Sequence, residues 1–228
     1  LQTSGEDLQK MLTQNEAKIS ALQKELNQAR IQLTEGKIST RAPKTFGVEP
    51  TVVTTPASAS SLNLRSQPAE LSPEQVEVIL KRYDFYCREH DWSKGWSNPQ
   101  GKGIDNKFEL RQNGMVIFDH VTGLRWQQSG SPNRMTYANA EKYISDLNNH
   151  RFADYNDWRL PTLEEAMSLM ELEKKHGGLY IDPVFDQTQQ WIWTADKESA
   201  GWTWVVGFHY GYCNLVRVDD DIYVRAVR

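Results

Sequence analysis

Apolar and polar side chains alternate with a period of two from Trp191 onward, and this pattern restricts that part of the chain to β-strands. Four runs show the alternation, at residues 191–194, 202–208, 215–218 and 223–227. Turn-forming residues separate the last three runs, at Tyr210 and Gly211 and again at residues 219–221. The sequence therefore predicts an antiparallel meander in this region.

A hairpin and two helices are predicted before the meander. Apolar runs at residues 115–119 and 124–127 flank the turn-forming sequence His120-Val121-Thr122-Gly123, as in a β-hairpin. Thr136 is predicted to cap a helix whose apolar face consists of Ala140, Tyr143, Ile144 and Leu147. Thr162 and Glu165 form a capping box before another helix, whose inward residues are Ala166, Met167 and Met170. Helices followed by an antiparallel sheet predict an α+β fold.

A further helix is predicted ahead of the hairpin. Ser72, Pro73 and Gln75 supply an N-cap, a first-turn proline and the second half of a capping box. Apolar residues then follow at helical spacing on one face, namely Val76, Ile79, Leu80, Tyr83 and Cys87. We expect this helix to end near His90 and to be followed by a loop.

Residues 5–34 carry one apolar seam with the seven-residue period of a coiled coil. The a positions are Leu12, Ile19, Leu26 and Leu33, and the d positions are Leu8, Asn15, Leu22 and Ala29. So narrow a stripe is typical of a coiled coil rather than of a helix packed on a globular core, and the polar Asn15 would fix its register. We expect this segment to form a homo-oligomer, either a trimer or a dimer.

Residues 37–71 are rich in Ser, Thr, Ala and Pro and contain few large apolar side chains. This composition predicts a semi-extended linker, with a strand around residues 51–55 as the alternative. The predicted organisation is therefore a stalk at residues 1–36, a linker at 37–71, a helix and loop at 72–102, and a globular domain at 103–228.

Charge, hydropathy and cysteine content narrow the class of protein. The formal net charge is −4 with both signs mixed, so nucleic-acid binding is not expected. No apolar run reaches the roughly 18 residues that cross a membrane, and because the sequence starts at Leu1 we expect an export signal or membrane anchor upstream. Cys87 and Cys213 are too few for a disulfide framework, and they are either one bridge or two small buried residues.

Several motifs in the C-terminal half resemble one known family. They are Asp119, Thr122-Gly123-Leu124 and Trp126-Gln127, then Asp157-Trp158-Arg159-Leu160-Pro161-Thr162 with Glu165, then Trp193-Thr194, Trp204, Val206, Phe208 and Gly211, and finally Tyr223-Val224-Arg225-Ala226-Val227-Arg228. Residues 103–228 thus resemble the domain first described at the C-terminus of the Legionella collagen-like adhesin. The resemblance implies a C-type-lectin-like fold, which formylglycine-generating enzymes share, and a place on a bacterial surface protein. Some related domains are the variable, ligand-binding targets of diversity-generating retroelements.

The sequence does not predict an enzyme. A formylglycine-generating oxidase would need two reactive cysteines to hold copper in its groove, whereas only Cys213 lies in the matching region. The five histidines lack metal-binding spacing: His90, His120, His150, His176 and His209. Residues 219–221 could offer oxygen ligands to Ca²⁺, but an acidic tight turn is usually a solvated hairpin tip. We expect no catalytic residue, no cofactor and no resident metal.

Three residues of the Asp157 to Thr162 motif invite assignment to a site, but a structural role is expected for them. Arg159 is predicted to pair with a carboxylate or with backbone carbonyls, and Trp158 is predicted to fill the core. Arg225 and Arg228 are expected to act in the same way as Arg159.

The candidate ligand-binding residues are those of the meander that strand alternation and turns leave unexplained. They are Trp202, His209, Tyr210, Tyr212, Asn214, Arg217 and Asp219. These residue types give a large contact area at low entropy cost together with adaptable hydrogen bonds, although they also occur on ordinary sheet surfaces.

Together these features predict a non-catalytic recognition or adhesion module of the cell envelope, in the periplasm or at the cell surface. Its ligand would be a glycan or a protein, and the coiled coil would raise the avidity of several weak contacts. The alternative is a structural subunit or scaffold of a cell-envelope assembly, with its aromatic face buried against a permanent partner.

Overall fold

The computed structural model describes residues 62–91 and 95–228, so the predicted coiled coil and the predicted linker up to residue 61 lie outside the described residues. The described part is an α+β domain with two antiparallel sheets of three strands each. Its helices are α1 (Pro73–Arg82), α2 (Tyr137–Asn149) and α3 (Leu163–Met167). The first sheet contains β1 (Phe108–Arg111), β2 (Val116–Asp119) and β3 (Arg125–Gln127), and the second contains β4 (Trp191–Ser199), β5 (Trp202–Gly207) and β6 (Tyr212–Arg217). None of the helices described here combines the length and the apolarity needed to cross a membrane.

The second sheet is covered on both faces, and strand alternation decides which core each side chain enters. Ile192, Trp204 and Val206 are buried in the larger core, which they share with residues of α1 and α3. Trp193 and Val205 point to the opposite face and are buried in a smaller core against α2. The first three runs of the predicted meander are therefore confirmed as strands of one antiparallel sheet, and their alternation matches two cores rather than one core and solvent.

Both predicted capping boxes are confirmed. The Ser72 side chain accepts a hydrogen bond from the backbone of Gln75, whose side chain accepts one from the backbone of Ser72. Thr162 and Glu165 make the same reciprocal pair at the start of α3. These bonds satisfy backbone N–H groups that the first turn of a helix leaves without partners, which fixes where α1 and α3 begin.

The prediction that the first helix ends near His90 is wrong, because α1 ends at Arg82. Asp84 has a φ of 55°, a left-handed conformation that stops the helix and turns the fully buried Phe85 into the core. Cys87, predicted on the helix face, instead pairs with Asn98 in an extended bridge.

Other boundaries in the rest of the domain also differ from the predictions, and the strand predicted at residues 191–194 runs on to Ser199. Helix α3 ends at Met167, although Met170 beyond it is buried as predicted. Strand β6 begins at Tyr212 rather than at residue 215, because the turn after β5 is short and Gly207 pairs directly with Tyr212.

Residues 223–227 belong to neither sheet, contrary to the prediction of a fourth run of strand. The segment forms single bridges instead, with Val227 opposite both Trp126 and Arg159 and with Tyr223 opposite Ile192. The backbone of this segment therefore bonds to β3, to β4 and to the loop before α3. Each of these neighbours uses only a few of the segment's hydrogen-bonding groups.

The residues just before α1 pack against the domain. Arg65 forms ion pairs with Glu164 and Asp196, whose side chains are 5% and 0% exposed. Asp196 also accepts hydrogen bonds from the backbone N–H groups of Ala69 and Leu163, at 2.7 Å each. The last residues of the predicted linker thus contact the domain through a shared cluster of charges.

Candidate functional site

The seven candidate residues fall into two groups at opposite ends of the second sheet. Strand pairing places Trp202 opposite Arg217 at one end and Gly207 opposite Tyr212 at the other. Since residues directly opposite each other share a face and alternate residues change face, Tyr212 and Asn214 lie on the face opposite to Arg217. The structure therefore brings together His209, Tyr210, Tyr212 and Asn214, and it places Trp202, Arg217 and Asp219 elsewhere.

The first group lines a cleft of about 420 Å³, which we call the aromatic cleft. Its lining residues are Arg134, Gln190, Trp191, His209, Tyr210, Tyr212, Asn214, Val216 and Ile222. A volume of this size lies within the range of roughly 300–1,000 Å³ that small-molecule sites occupy. The cleft is the described surface feature that contains the largest share of the predicted residues.

Three aromatic rings form one wall of the aromatic cleft. The centroid of Trp191 lies 5.3 Å from that of Tyr212 and 5.8 Å from that of Tyr210. Tyr210 and Tyr212 stack on each other with centroids 5.7 Å apart. Tyr210 is 45% exposed whereas Tyr212 is 4% exposed, so the wall runs from solvent into the domain.

Two glycines make room for this wall. A Cβ on Gly207 would lie 2.6 Å from the Trp191 ring, so only glycine lets that ring lie across β5. Gly211 has a φ of 79°, which closes the tight turn between β5 and β6, and a Cβ there would meet the Tyr180 ring at 3.1 Å. The turn presents Tyr210 at its tip as a consequence.

Neighbouring segments hold the turn in place. The backbone N–H of Tyr180 donates to Phe208 at 2.7 Å, and that of Arg88 donates to Gly211 at the same distance. Phe208 itself is fully buried and donates its backbone N–H to Gln190 at 2.8 Å. The aromatic cleft is therefore preformed, and a ligand would not have to order the loop that carries Tyr210.

Polar groups occupy the remaining walls of the aromatic cleft. Arg134, Gln190, His209 and Asn214 supply amide, imidazole and guanidinium groups, and the Trp191 and Tyr212 rings lie beside them. His209 packs edge-on against Tyr210 with centroids 4.6 Å apart. The cleft thus offers ring faces and several hydrogen-bonding groups within one small volume.

The second group is an exposed ion pair beside an exposed tryptophan. Arg217 Nε donates to Asp219 Oδ1 at 2.9 Å, and the backbone N–H of Arg217 donates to Asp220 at the same distance. The Arg217 side chain holds the pKa of Asp219 below its usual range, and Asp219 in turn raises the pKa of Arg217. Trp202, 42% exposed, lies opposite Arg217 across the strands.

The acidic turn and the histidines do not form a metal site in the described part of the chain. Within residues 62–91 and 95–228, no three His, Cys, Asp or Glu side chains come together as metal ligands would. Asp219 and Asp220 instead accept hydrogen bonds from Arg217, as the tip of a hairpin often does.

Five residues of the aromatic cleft were not among the predicted ones: Arg134, Gln190, Trp191, Val216 and Ile222. Trp191 and Val216 could have been found, because the alternation that places Trp193 and Asn214 on one face of the sheet places these two there as well. Arg134 reaches the cleft from the segment before α2, and no sequence pattern links it to the sheet.

The Asp157 to Thr162 motif has the structural role that was predicted for it. The two terminal nitrogens of Arg159, Nη1 and Nη2, donate to the Glu165 carboxylate at 2.6 and 2.5 Å, and Arg228 donates to Asp157 at 2.5 Å. Trp158 is 2% exposed and its indole N–H donates to the carbonyl of Phe152 at 3.0 Å. This motif locks a loop, and none of its residues lines the aromatic cleft.

Arg225 also has the predicted structural role. It is fully buried, and its guanidinium donates to the backbone carbonyls of Gln127 and Asp186 and to the side chain of Gln189. The ring of Phe185 lies 4.9 Å from the guanidinium carbon. Arg225 therefore joins β3 to the segment before β4.

Comparison with known proteins agrees with these motifs. Residues 115–228 match the family described as the Lcl C-terminal domain. No curated protein matches the chain at a significant level. The matched residues extend from β2 through the aromatic cleft to Arg228, and they are half of the sequence. On this match, the chain belongs to the Lcl C-terminal domain family.

Proposed function

We propose that the chain is a non-catalytic recognition module of the bacterial cell surface, with a C-type-lectin-like head that binds a glycan in its aromatic cleft. Membership of the Lcl family supports a surface or adhesion role. The observation that carries the proposal is the wall of Trp191, Tyr210 and Tyr212, with polar side chains on the other sides of the same cleft.

A sugar ring fits this combination chemically. The C–H groups on one face of a pyranose are apolar and slightly positive, and they pack against the negative face of an aromatic ring. Its hydroxyl groups both donate and accept, which suits Gln190 and Asn214, since an amide does the same. Tyr210 at the mouth and Tyr212 deeper in would contact successive parts of the ligand.

The distribution of exposed apolar side chains favours a soluble ligand over a permanent partner. The large exposed ones in the described part of the chain are Val78, Leu110, Met115, Leu172, Trp202 and Tyr210. They lie on α1, on the β1–β2 hairpin, after α3, on β5 and on the turn before β6, rather than on one continuous element. A face buried against a fixed subunit would concentrate such residues in one patch.

Avidity is the proposed role of residues 5–34. A single head with a shallow cleft would bind a glycan weakly, and several heads on one oligomer would bind a repetitive surface more tightly without new contacts. Comparing the full chain with residues 57–228, a compact unit by its contacts, tests this role. We expect light scattering to show a trimer or a dimer only for the full chain.

The glycan site is tested with a labelled full chain on an immobilised glycan panel, followed by calorimetry with the best ligand. Tyr210→Ala is expected to raise the Kd by roughly 5- to 30-fold, and Asn214→Ala should weaken binding as well. Leu172→Ala is the matched control, because Leu172 is also 45% exposed and lies outside the aromatic cleft. Equal loss of binding in the control, or binding that survives Tyr210→Ala unchanged, would contradict the proposal.

Trp202→Ala tests the second group of predicted residues separately. If Trp202, Arg217 and Asp219 also contact the ligand, this substitution will weaken binding by an amount similar to Tyr210→Ala. Should the chain bind no glycan but co-purify with an envelope complex through these surfaces, the structural-subunit alternative would replace the proposal.

A further inference from the structure

The two cysteines lie side by side in the larger core. Their Sγ atoms are 3.9 Å apart, and both residues are fully buried. They are 126 positions apart in the sequence, with Cys87 in the segment after α1 and Cys213 in β6. Because the sequence contains only these two cysteines, an internal disulfide has a single possible pairing.

Hydrogen bonds next to each cysteine hold the two backbones together. The backbone N–H of Arg88, adjacent to Cys87, donates to the carbonyl of Gly211 at 2.7 Å. The indole N–H of Trp96 donates to the carbonyl of Cys213 at 3.1 Å. The proximity of the two sulfur atoms is thus a property of the fold and not of two mobile side chains.

We propose that Cys87 and Cys213 form a disulfide when the exported protein meets a thiol–disulfide oxidant, and that this bond fastens the segment around Cys87 to β6. The sulfur atoms would approach to about 2.05 Å, a shift of less than ~2 Å from their present separation. Disulfides persist outside the cytoplasm, where proteins of this family are expected. The proposal does not depend on which ligand the aromatic cleft binds.

The reaction is a two-step exchange with a disulfide of the oxidant. The thiolate of one cysteine attacks one sulfur of that disulfide, forming a mixed disulfide and releasing one thiol of the oxidant. The other cysteine then loses its proton to water and attacks the sulfur of the first, releasing the second thiol. Two electrons and two protons pass from the cysteine pair, so the oxidant leaves as a dithiol or as two thiols.

In the folded domain the two side chains contact each other, and this contact separates their pKa values. Cys213 lowers the pKa of Cys87, whereas the pKa of Cys213 is raised well above its usual value by that same contact and by burial. Since both thiols are buried in the folded domain, the oxidant has access while the segment around Cys87 is still open, during folding.

The bond would act next to the candidate site. Cys213 lies between Tyr212 and Asn214, which line the aromatic cleft on the opposite face of β6. Cys87 lies before Met115, where the match to the family begins. A disulfide would therefore tie a segment outside the matched region to the strand that supports the cleft.

The test uses the full chain exported to an oxidising compartment and, in parallel, the same chain kept in the cytoplasm. Each sample is unfolded in the presence of an alkylating agent and its intact mass is measured. We expect the exported chain to take up no alkyl group and to have a mass lower by two hydrogen atoms than that of the fully reduced chain. After reduction it should take up two alkyl groups. The cytoplasmic chain should take up two alkyl groups directly. Two free thiols in the exported chain, or disulfide-linked pairs of chains, would overturn the proposal.

A second measurement concerns the effect of the disulfide on the fold. Closing so long a loop stabilises the domain, so reduction of the exported chain is expected to lower its Tm by roughly 5–15 °C. Cys87→Ser and Cys213→Ser should each lower the Tm to the value of the reduced chain and leave one alkylatable thiol. A Tm that is unchanged after verified reduction would show that the bond fastens nothing.

Discussion

Arg65 gives the sharpest test of the packing described above, because it is the cation shared by two buried carboxylates. Its guanidinium donates to Glu164 at 2.5 and 3.1 Å and to Asp196 at 2.7 and 2.8 Å. The substitution Arg65→Met keeps much of the side-chain length but removes the charge. Glu164 and Asp196 would then be left close together without their cation.

The expected loss of unfolding free energy in Arg65→Met follows from the burial of the two ion pairs. Removing one partner of a buried ion pair costs about 3–5 kcal/mol, and the 26% exposure of the Arg65 side chain reduces the expected loss to roughly 2–4 kcal/mol. For a domain of this size the Tm should fall by about 5–15 °C. Lys81→Met is the matched control, because it removes the cation of an exposed pair with Glu77 and should cost less than about 0.5 kcal/mol.

The loss of unfolding free energy in Arg65→Met should also depend on pH. Burial already raises the pKa of Glu164, and Arg65 opposes that rise, so the substitution raises this pKa further. A carboxyl group that binds its proton more tightly in the folded state contributes stability that is lost as the pH rises through its folded pKa. The difference in unfolding free energy between the two chains should therefore be largest near neutral pH and should shrink as the pH falls toward about 4.5.

The assay is urea unfolding followed by tryptophan fluorescence, since all eight tryptophans lie after Asp91 and report on the head. Unfolding is measured at several pH values for the unsubstituted chain, Arg65→Met and Lys81→Met. If Arg65→Met costs no more than Lys81→Met at neutral pH, the residues before α1 do not pack on the domain as described.

Three further predictions concern the cap, the cleft and alkaline stability. Thr162→Ala removes the N-cap of α3 and a 2.7 Å hydrogen bond to the Arg65 carbonyl, so calorimetry should show that the free energy of unfolding falls by about 1–2 kcal/mol. This loss should exceed that of Ser72→Ala, which removes an exposed cap. Gly207→Ala should displace the Trp191 ring, changing its fluorescence and weakening glycan binding, whereas Gly201→Ala, where a Cβ meets nothing within 4 Å, should do neither. Burial raises the pKa of Tyr137 to about 12, so the stability that this group contributes should be lost as the pH rises from about 10 through 12. In Tyr137→Phe, the free energy of unfolding should fall less steeply with pH over that range.

Local signals in the sequence were sufficient for much of the fold. The caps at Ser72 and Thr162 mark helix starts because they satisfy backbone groups within one turn, and this requirement does not depend on the rest of the chain. The alternation from Trp191 likewise predicts strands because each strand needs two distinct faces. Helix ends were less predictable, since the left-handed Asp84 that ends α1 follows apolar spacing that would allow another turn.

Long-range pairing explains what the sequence could not reveal. Arg65 lies in a stretch whose composition is typical of a linker, and its partners are 99 and 131 positions away. The separation of the seven candidate residues into two groups depends on where the turn at Gly211 resets the strand register. A turn one residue longer would have exchanged the faces of Tyr212 and Arg217.

The backbone bridges made by residues 223–227 bear on how the domain folds. Val227 pairs with Trp126 and Arg159, and Tyr223 pairs with Ile192, so residues 223–227 complete contacts with three segments that precede them in the sequence. Such distant pairings make folding slow compared with helical proteins. Until residues 223–227 have been synthesised, those three earlier segments lack their backbone partners, and the incomplete domain exposes surface that favours aggregation.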